Sequence, residues 1–314
     1  MRTRRATRPN AARPGGLRVP PAVMRLGLRQ LGRRVLDPGL PWEVQRRRLD
    51  QIMRASPVPR GTTVTQRVMK GVRTEVVTAV GAHPERTAIH FHGGGYCIGS
   101  SLMVRTWAAH LSAQAACRVV VPEYRLAPAD PYPAALSDAR DVLHAVLGEA
   151  APGSVVVSGD SAGGGLALSL VLALRDGGEA LPAGCILLSP WLDLSRNRRA
   201  VPELVRRDVL LTPRWLKACA TGYTDPANWT DPSVSPLLAA HGDLPPLLIQ
   251  AGSDDLLAPD AEGLAASASA AGVEVTYTRW PRMWHYFELQ PGLVAAADSA
   301  LSQAAWFVET VTGS

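Results

Sequence analysis

Val155-Val156-Val157-Ser158-Gly159-Asp160-Ser161-Ala162-Gly163-Gly164-Gly165-Leu166 is the stretch on which the reading of this chain turns. Its three valines read as a short buried strand, and the apolar residues 166–174 that follow read as a helix. Between them stands a G-x-S-x-G pentapeptide, residues 159–163. By itself the pentapeptide is weak, because about 0.15 such matches arise by chance at this composition. Its context is strong. A serine on a sharp strand-to-helix turn stands exposed at the end of the strand, and glycine neighbours supply the room and backbone freedom such a turn needs. Ser161 is therefore the candidate nucleophile, and an idle serine in a glycine-rich turn is the rival reading.

Upstream, His92-Gly93-Gly94-Gly95-Tyr96 follows directly on the apolar run 88–91. Consecutive glycines let backbone N–H groups approach a developing oxyanion with no side chain in the way. The N–H of Ala162, next to the nucleophile, would complete that hole. Chance supplies an H-G-G-G only about 0.005 times per chain of this composition. No G-x-x-x-x-G-K-[ST] accompanies it, so a phosphate loop is a poor alternative. A serine needs a base, and the base needs an acid to orient it. Downstream of Ser161 only His241 and His285 occur, and His241 leaves little room for an acid in the order serine, acid, histidine. His285 is the candidate base. Residues 250–256, Gln-Ala-Gly-Ser-Asp-Asp-Leu, offer two adjacent acids, Asp254 and Asp255. Neighbouring loop residues point apart, so one is expected to reach His285 and the other to cap a turn or face water.

From about Arg86 onward, strand-like and helix-like segments alternate. Strands are expected at 88–91, 119–121, 155–157, 186–188, 247–250 and 273–277, and helices at 102–116, 134–147, 166–174, 261–271 and 293–311. That alternation implies an α/β fold, a mostly parallel central sheet flanked by helices. Residues 195–236, rich in Arg, Pro and Trp, break it and read as an insertion. Residues 1–18 look like a disordered tail. After it, Met24, Leu28, Leu31 and Val35 fall at helical spacing, and Trp42, Leu49, Ile52 and Met53 mark a second short helix. The expected organisation is an N-terminal tail with cap helices over 1–60, and a catalytic domain over 61–314 carrying a cap insertion at about 195–236.

His92–Tyr96, Glu123-Tyr124-Arg125-Leu126-Ala127-Pro128, Pro133-Ala134-Ala135-Leu136 and residues 159–164 together resemble the hormone-sensitive-lipase-like family of α/β-hydrolases. These are bacterial carboxylesterases with an H-G-G-G loop and a G-D-S-A-G elbow. Asp231-Pro232-Ser233-Val234-Ser235-Pro236 and Leu244-Pro245-Pro246-Leu247 fit the same family, and the similarity spans roughly 61–312. The resemblance implies an α/β-hydrolase fold with a helical cap. It implies Ser161 as nucleophile, His285 as base, Asp255 rather than Asp254 as acid, and oxyanion donors at the N–H groups of Gly94, Gly95 and Ala162. The implied reaction is serine-dependent hydrolysis of carboxylic esters of short to medium acyl chain through an acyl-enzyme, with no cofactor and no metal. The alternatives are a lactone or acetylated-metabolite hydrolase with the same machinery, or a non-catalytic small-molecule receptor on the same fold, against which His285 speaks. Gly165 stands where the family often has Asn, and Arg282-Met283-Trp284 replaces the commoner Gly-Met before the histidine. Tyr96, Trp191 and Trp284 are candidate walls of the substrate pocket.

Composition narrows the rest. Hydrophobic residues make up 46% and charged residues 19% of 314, an ordinary globular balance. The formal charge of +6 is unevenly placed, since residues 1–60 carry fifteen arginines against Asp37, Glu43 and Asp50, a balance of +12, and the remainder is −6. An acidic body argues against nucleic acid as partner. The partner expected is a small-molecule ester. The arginines of 25–34 read as a solvated helix face, with contact to anionic membrane the rival, and no feature speaks to oligomeric state. His90 and His92 alternate on a strand without a third ligand at metal-site spacing. Four scattered cysteines and no secretory pattern imply free thiols in the cytoplasm.

Overall fold

In the computed structural model, which describes residues 18–196 and 201–313, eight strands form one sheet in the order β1-β2-β4-β3-β5-β6-β7-β8. Six of them are β3 (His83–Phe91), β4 (Cys117–Pro122), β5 (Val155–Asp160), β6 (Gly184–Leu188), β7 (Leu247–Gly252) and β8 (Val275–Trp280), all paired in parallel. Side chains alternate between the two faces of a strand, and both faces here are covered. Ile89, Val120, Val155, Val157, Leu187 and Ile249 point into one core, while Ala88, Val119, Val121, Val156, Ile186 and Leu248 point into the other. Burying one such side chain is worth roughly 1.5–3 kcal/mol. Burial on both sides therefore selects the unbroken apolar runs that mark these strands in the sequence.

Helices α4 (Ala134–Leu147), α5 (Ala162–Asp176) and α8 (Ala258–Ala270) cover the first face. Helices α3 (Arg105–Ala115) and α9 (Ala295–Val311) cover the second. The expected helices fall on these elements. The expected strands fall on β3 to β8, with the last displaced by two residues at its start, from 273 to Val275.

One part of the sheet lies ahead of the expected alternation. Strands β1 (Thr62–Met69) and β2 (Val72–Ala79) form an antiparallel hairpin, and β2 pairs antiparallel with β4. The hairpin turns on Lys70-Gly71, whose φ values of 46° and 89° are the two positive angles a tight type I′ turn demands.

Residues before the hairpin supply α1 (Pro21–Val35) and α2 (Trp42–Met53). The break in alternation supplies α6 (Pro202–Arg207) and α7 (Pro213–Tyr223). These two stretches meet: a Cβ at Gly32 of α1 would stand 3.3 Å from the Leu210 backbone, a tight contact that glycine relieves. Gln45 of α2 is fully buried, accepts from the Trp215 indole of α7 at 3.0 Å and donates to Leu40 O. Arg46 of α2 donates to the carbonyls of Cys97 and Ala127, both at 2.8 Å, tying α2 to the loops beyond β3 and β4. The tail expected at 1–18 lies outside the described residues, apart from Arg18. No helix among the described residues is long and apolar enough to cross a membrane.

Candidate active site

The three candidate residues leave the sheet at the carboxyl ends of parallel strands, where open α/β sheets gather their ligands. Ser161 follows β5 directly, Asp255 follows β7 and His285 follows β8. Ser161 has φ 53° and ψ −120°, a conformation that costs a non-glycine residue energy. Its backbone is pinned in place, with its N–H donating to Leu188 O at 2.9 Å and its carbonyl accepting from Trp191 N at 2.8 Å. The flanking glycines are a matter of space. A Cβ at Gly159 would stand 2.1 Å from Gly163 O, and one at Gly163 would stand 2.0 Å from Phe91 O. At Gly165 a Cβ would reach 2.4 Å from Trp191 O and 2.5 Å from the Tyr96 hydroxyl, which accounts for glycine at the position where an asparagine was the commoner expectation.

His285 joins the other two. Its Nδ1 lies 3.0 Å from Asp255 Oδ2 and its Nε2 lies 3.0 Å from Ser161 Oγ. A neutral imidazole that donates Nδ1–H to the carboxylate presents a bare Nε2, which accepts the serine hydroxyl. All three side chains are buried, Asp255 completely, and the free Asp255 Oδ1 accepts from Leu257 N at 2.8 Å. Of the adjacent acids, Asp255 is thus the one beside the histidine. Asp254 neither faces water nor caps a turn: it is buried, and Oδ2 accepts from Arg25 of α1 at 2.8 Å. His241 is engaged elsewhere, with Nε2 at 2.9 Å from Pro236 O and Nδ1 at 2.9 Å from Ser267 Oγ.

The glycine loop sits across from the nucleophile. Gly94 and Gly95 have φ of 115° and 62°, and a Cβ at Gly93 would stand 3.1 Å from Ser161 Cβ. Among the described residues, the N–H groups of Gly94, Gly95 and Ala162 have no protein acceptor. His90 and His92 have protein partners. His90 Nδ1 lies 2.9 Å from Ser158 Oγ, and its Nε2 lies 3.0 Å from Asp160 Oδ1. His92 stacks on Tyr124 at 4.4 Å, with Nδ1 at 2.8 Å from Gly93 O.

A cavity of about 580 Å³ opens beside Ser161 and His285. Its walls are mostly apolar, with Met24, Leu28, Leu31 and Val35 contributed by α1 and Leu211 and Trp215 by the α6–α7 stretch. The apolar stripe read at 24–35 is therefore a cavity wall. The expectation for Tyr96, Trp191 and Trp284 is corrected, because none of the three lines the cavity and all are buried in the core. Tyr96 stacks on Tyr223 at 3.8 Å, Trp191 donates to Asp193 O, and Trp284 lies beneath the Arg25 guanidinium. Large aromatic rings serve packing as readily as recognition, and these three fill the layer behind the site.

Two buried carboxyls near His285 carried no motif. Asp208, between α6 and α7, accepts from Leu210 N, Leu211 N and, across the site, Leu256 N at 2.8 Å. Glu288 accepts from Ser189 Oγ at 2.9 Å. A lone carboxylate in the apolar run 284–289 was the one available signal for Glu288. Burial, and then the like charge of Asp255, pushes Asp208 up to about 6. Burial pushes Glu288 up to about 8. Burial alone would lower His285, but the Asp255 charge and hydrogen bond, with Asp208 and Glu288 behind them, outweigh it and raise the imidazole to about 9.

Glu288 has a consequence for stability. Between the ordinary value of 4.5 and about 8 the folded protein keeps a proton on Glu288 that the unfolded chain has released. Stability falls as pH rises across that window. Glu288→Gln removes the titration and can still accept from Ser189. It is expected to melt above wild type by a margin that is larger at pH ~9 than at pH ~5. Thermal melts at both pH values check this, and equal margins would contradict it.

Comparison with known proteins agrees with this geometry. A family model described as alpha/beta hydrolase fold matches residues 88–289. An acetyl-hydrolase of Streptomyces hygroscopicus is 38% identical over 235 residues, covering 73% of this chain and 77% of its own. An esterase of Acinetobacter venetianus is 34% identical over 267 residues, covering 84% and 87% respectively. The crystal structure of an esterase from the bacterial hormone-sensitive lipase family superimposes with a TM-score of 0.88 at 31% identity, over 95% of this chain and all of that one. With the parallel sheet, the elbow after β5 and the matches along most of its length, the chain belongs to the α/β-hydrolase family, among its bacterial hormone-sensitive-lipase-like members, and is a carboxylic ester hydrolase.

Proposed function

We propose that the protein hydrolyses small-molecule esters of short to medium acyl chain through an acyl-enzyme on Ser161. The observation that carries this reading is the unbroken run of hydrogen bonds from Ser161 Oγ to His285 to Asp255, at the edge of an apolar cavity. Ser161 Oγ attacks the ester carbonyl as His285 Nε2 takes its proton, and Asp255 holds the imidazole and balances its charge. The N–H groups of Gly94, Gly95 and Ala162 receive the oxyanion; losing one such donor typically costs ~10²–10³ in kcat. The imidazolium then protonates the leaving alcohol as the carbonyl–oxygen bond breaks. Water, deprotonated by the same nitrogen, attacks the acyl-enzyme and releases the acid and Ser161. On this reading α1, α2, α6 and α7, from residues 1–60 and about 195–236, are a cap over the catalytic unit of 61–314. Four buried free thiols suit a reducing compartment, and we assign the protein to the cytoplasm.

The test is mass-spectrometric location of a fluorophosphonate label, expected on Ser161, joined to kinetics on p-nitrophenyl esters. The expected profile peaks between acetyl and hexanoyl, because the cavity is walled and bounded rather than an open apolar surface. Faster turnover of emulsified long-chain triglyceride than of butyryl ester would overturn the chain-length assignment. A second reading, an acetylated metabolite as natural substrate, is favoured by the acetyl-hydrolase relative. A panel of acetylated alcohols and lactones beside the ester series distinguishes the two.

A further inference from the structure

Asp254 and Asp255 are consecutive, buried and turned to different partners. Asp255 meets His285, and Asp254 meets Arg25. The Arg25 guanidinium reaches three segments at once. Nη1 donates to Asp254 Oδ2 at 2.8 Å in the acid loop and to Arg282 O at 3.3 Å in the histidine loop. Nη2 donates to Arg207 O at 2.7 Å, at the end of α6, and the group lies 5.9 Å from the ring centre of Trp284, the residue before His285. Arg207 brings a second cation to 3.8 Å from Asp254 Oδ1 and is itself paired with Glu203 at 2.6 Å. The other break in the fold ties to the same loop through Asp208, which accepts from Leu256 N.

The apolar stripe of α1 is the wall of the cavity beside Ser161, while Val23 and Leu26 of the same helix are exposed. That stripe packs Met24 and Leu28 against the cluster around Trp284 and Phe287, and Leu31 and Val35 against the main core; apolar contact is non-directional, so the register of α1 is left to its polar ties. Its other polar ties do not touch the acid loop: Val19 N, just ahead of the helix, donates to Leu293 O at 3.0 Å, Arg29 reaches Arg206 O at 3.4 Å, and Arg48 of α2 donates to Arg34 O at 2.7 Å near the helix's far end. The charge-assisted Arg25 contacts to Asp254 and Arg207 O are short, and the one to Asp254, at the acid loop, is partly buried.

We propose that the Arg25–Asp254 pair is the latch that fixes α1 as a cavity wall in register with the acid and histidine loops, so that Arg25 is a positioning residue that sets chain-length selectivity. The proposal rests on the reading of Ser161, His285 and Asp255 given above. With the latch opened, α1 moves relative to the reacting centre, and contact is lost where a longer chain lies against Met24, Leu28 and Leu31. The shortest esters feel that wall least. Each buried methylene is worth roughly fourfold in transfer, so loosening the wall is a large effect on hexanoate and a small one on acetate.

The experiment compares wild type, Arg25→Met, Arg25→Lys, Asp254→Asn and the Arg25→Met/Asp254→Asn double variant. It measures kcat and KM on p-nitrophenyl acetate and hexanoate, with active sites counted by fluorophosphonate titration. In Arg25→Met and Asp254→Asn the hexanoate-to-acetate ratio of kcat/KM is expected to fall about tenfold, carried by KM. The double variant is expected to be no worse than the worse single one, because the two residues share one interaction. Arg25→Lys should fall between, since an ammonium keeps the charge and loses the fork. If Arg25→Met fails to fold, the near-isosteric Asp254→Asn carries the test. An unchanged ratio in fully titratable variants, even with a lowered Tm, would overturn the latch. Wild type that titrates on a residue other than Ser161 would overturn the nucleophile assignment instead.

Discussion

Ser161→Ala is expected to abolish ester hydrolysis and leave the fold intact, with a loss approaching 10⁶ in kcat. The size follows from how the site works. The nucleophile, base and acid act as a unit, so removing Oγ forfeits nearly all of what the unit supplies; the residual rate comes from the oxyanion donors and binding. The fold survives for a local reason. Ser161 keeps its strained φ of 53° because backbone hydrogen bonds to Leu188 and Trp191 hold it, and alanine has the same Cβ and the same N–H and C=O. The hydroxyl itself bonds only to His285 Nε2 among the described residues. Rates on p-nitrophenyl butyrate, with circular-dichroism melts of both proteins, check the prediction. A variant within tenfold of wild type would remove Ser161 from the role of nucleophile. His285→Ala should be nearly as damaging.

What the sequence made legible, and what it did not, divides along physical lines. Strands β3 to β8 could be read because burial on both faces demands uninterrupted apolar residues. The β1–β2 hairpin could not be read in that way, because Thr63, Thr65, Gln66, Arg67 and Val68 of β1 are half-buried or exposed, and an edge strand carries no such run. Its signal was the Lys70-Gly71 turn between two stretches rich in Thr and Val. Ser161 and the glycine loop were legible because their chemistry depends on local backbone, which leaves a local motif. Contacts across long sequence separations leave none. Arg25 meets Asp254, Asp208 meets Leu256, and Gln45 meets Trp215, pairs that only the folded chain brings together. The misplaced pocket aromatics fail for a related reason, since a tryptophan next to a catalytic histidine is identical in sequence whether it faces substrate or, like Trp284, the core.

The adjacent acids are the sharpest case, and they carry the second large prediction. Asp255→Asn is expected to cost about 10⁴ in kcat, the scale seen when the orienting acid of such a unit is made neutral. Asp254→Asn is expected to cost far less, its effect falling on the position of α1. The asymmetry follows from where each carboxylate points. Asp255 Oδ2 fixes the proton on Nδ1 and leaves Nε2 bare for Ser161. An asparagine that turns its amide to Nδ1 forces the proton onto Nε2, where it faces the hydroxyl and can accept nothing. The charge matters as well as the tautomer. Asp255 is the chief reason the buried imidazole stands raised, at about 9. Without it the remaining influence is burial, opposed by Asp208 and Glu288, and the imidazole falls. The acid limb of kcat/KM in Asp255→Asn should therefore lie at lower pH than in wild type, on a plateau lower by the same large factor. In Asp254→Asn the limb should stay in place, because His285 retains its partner. Full pH–rate profiles of the two variants on p-nitrophenyl acetate provide the measurement. Equal small losses from both would show that this loop holds no catalytic acid, and a reversed ranking would transfer the role to Asp254.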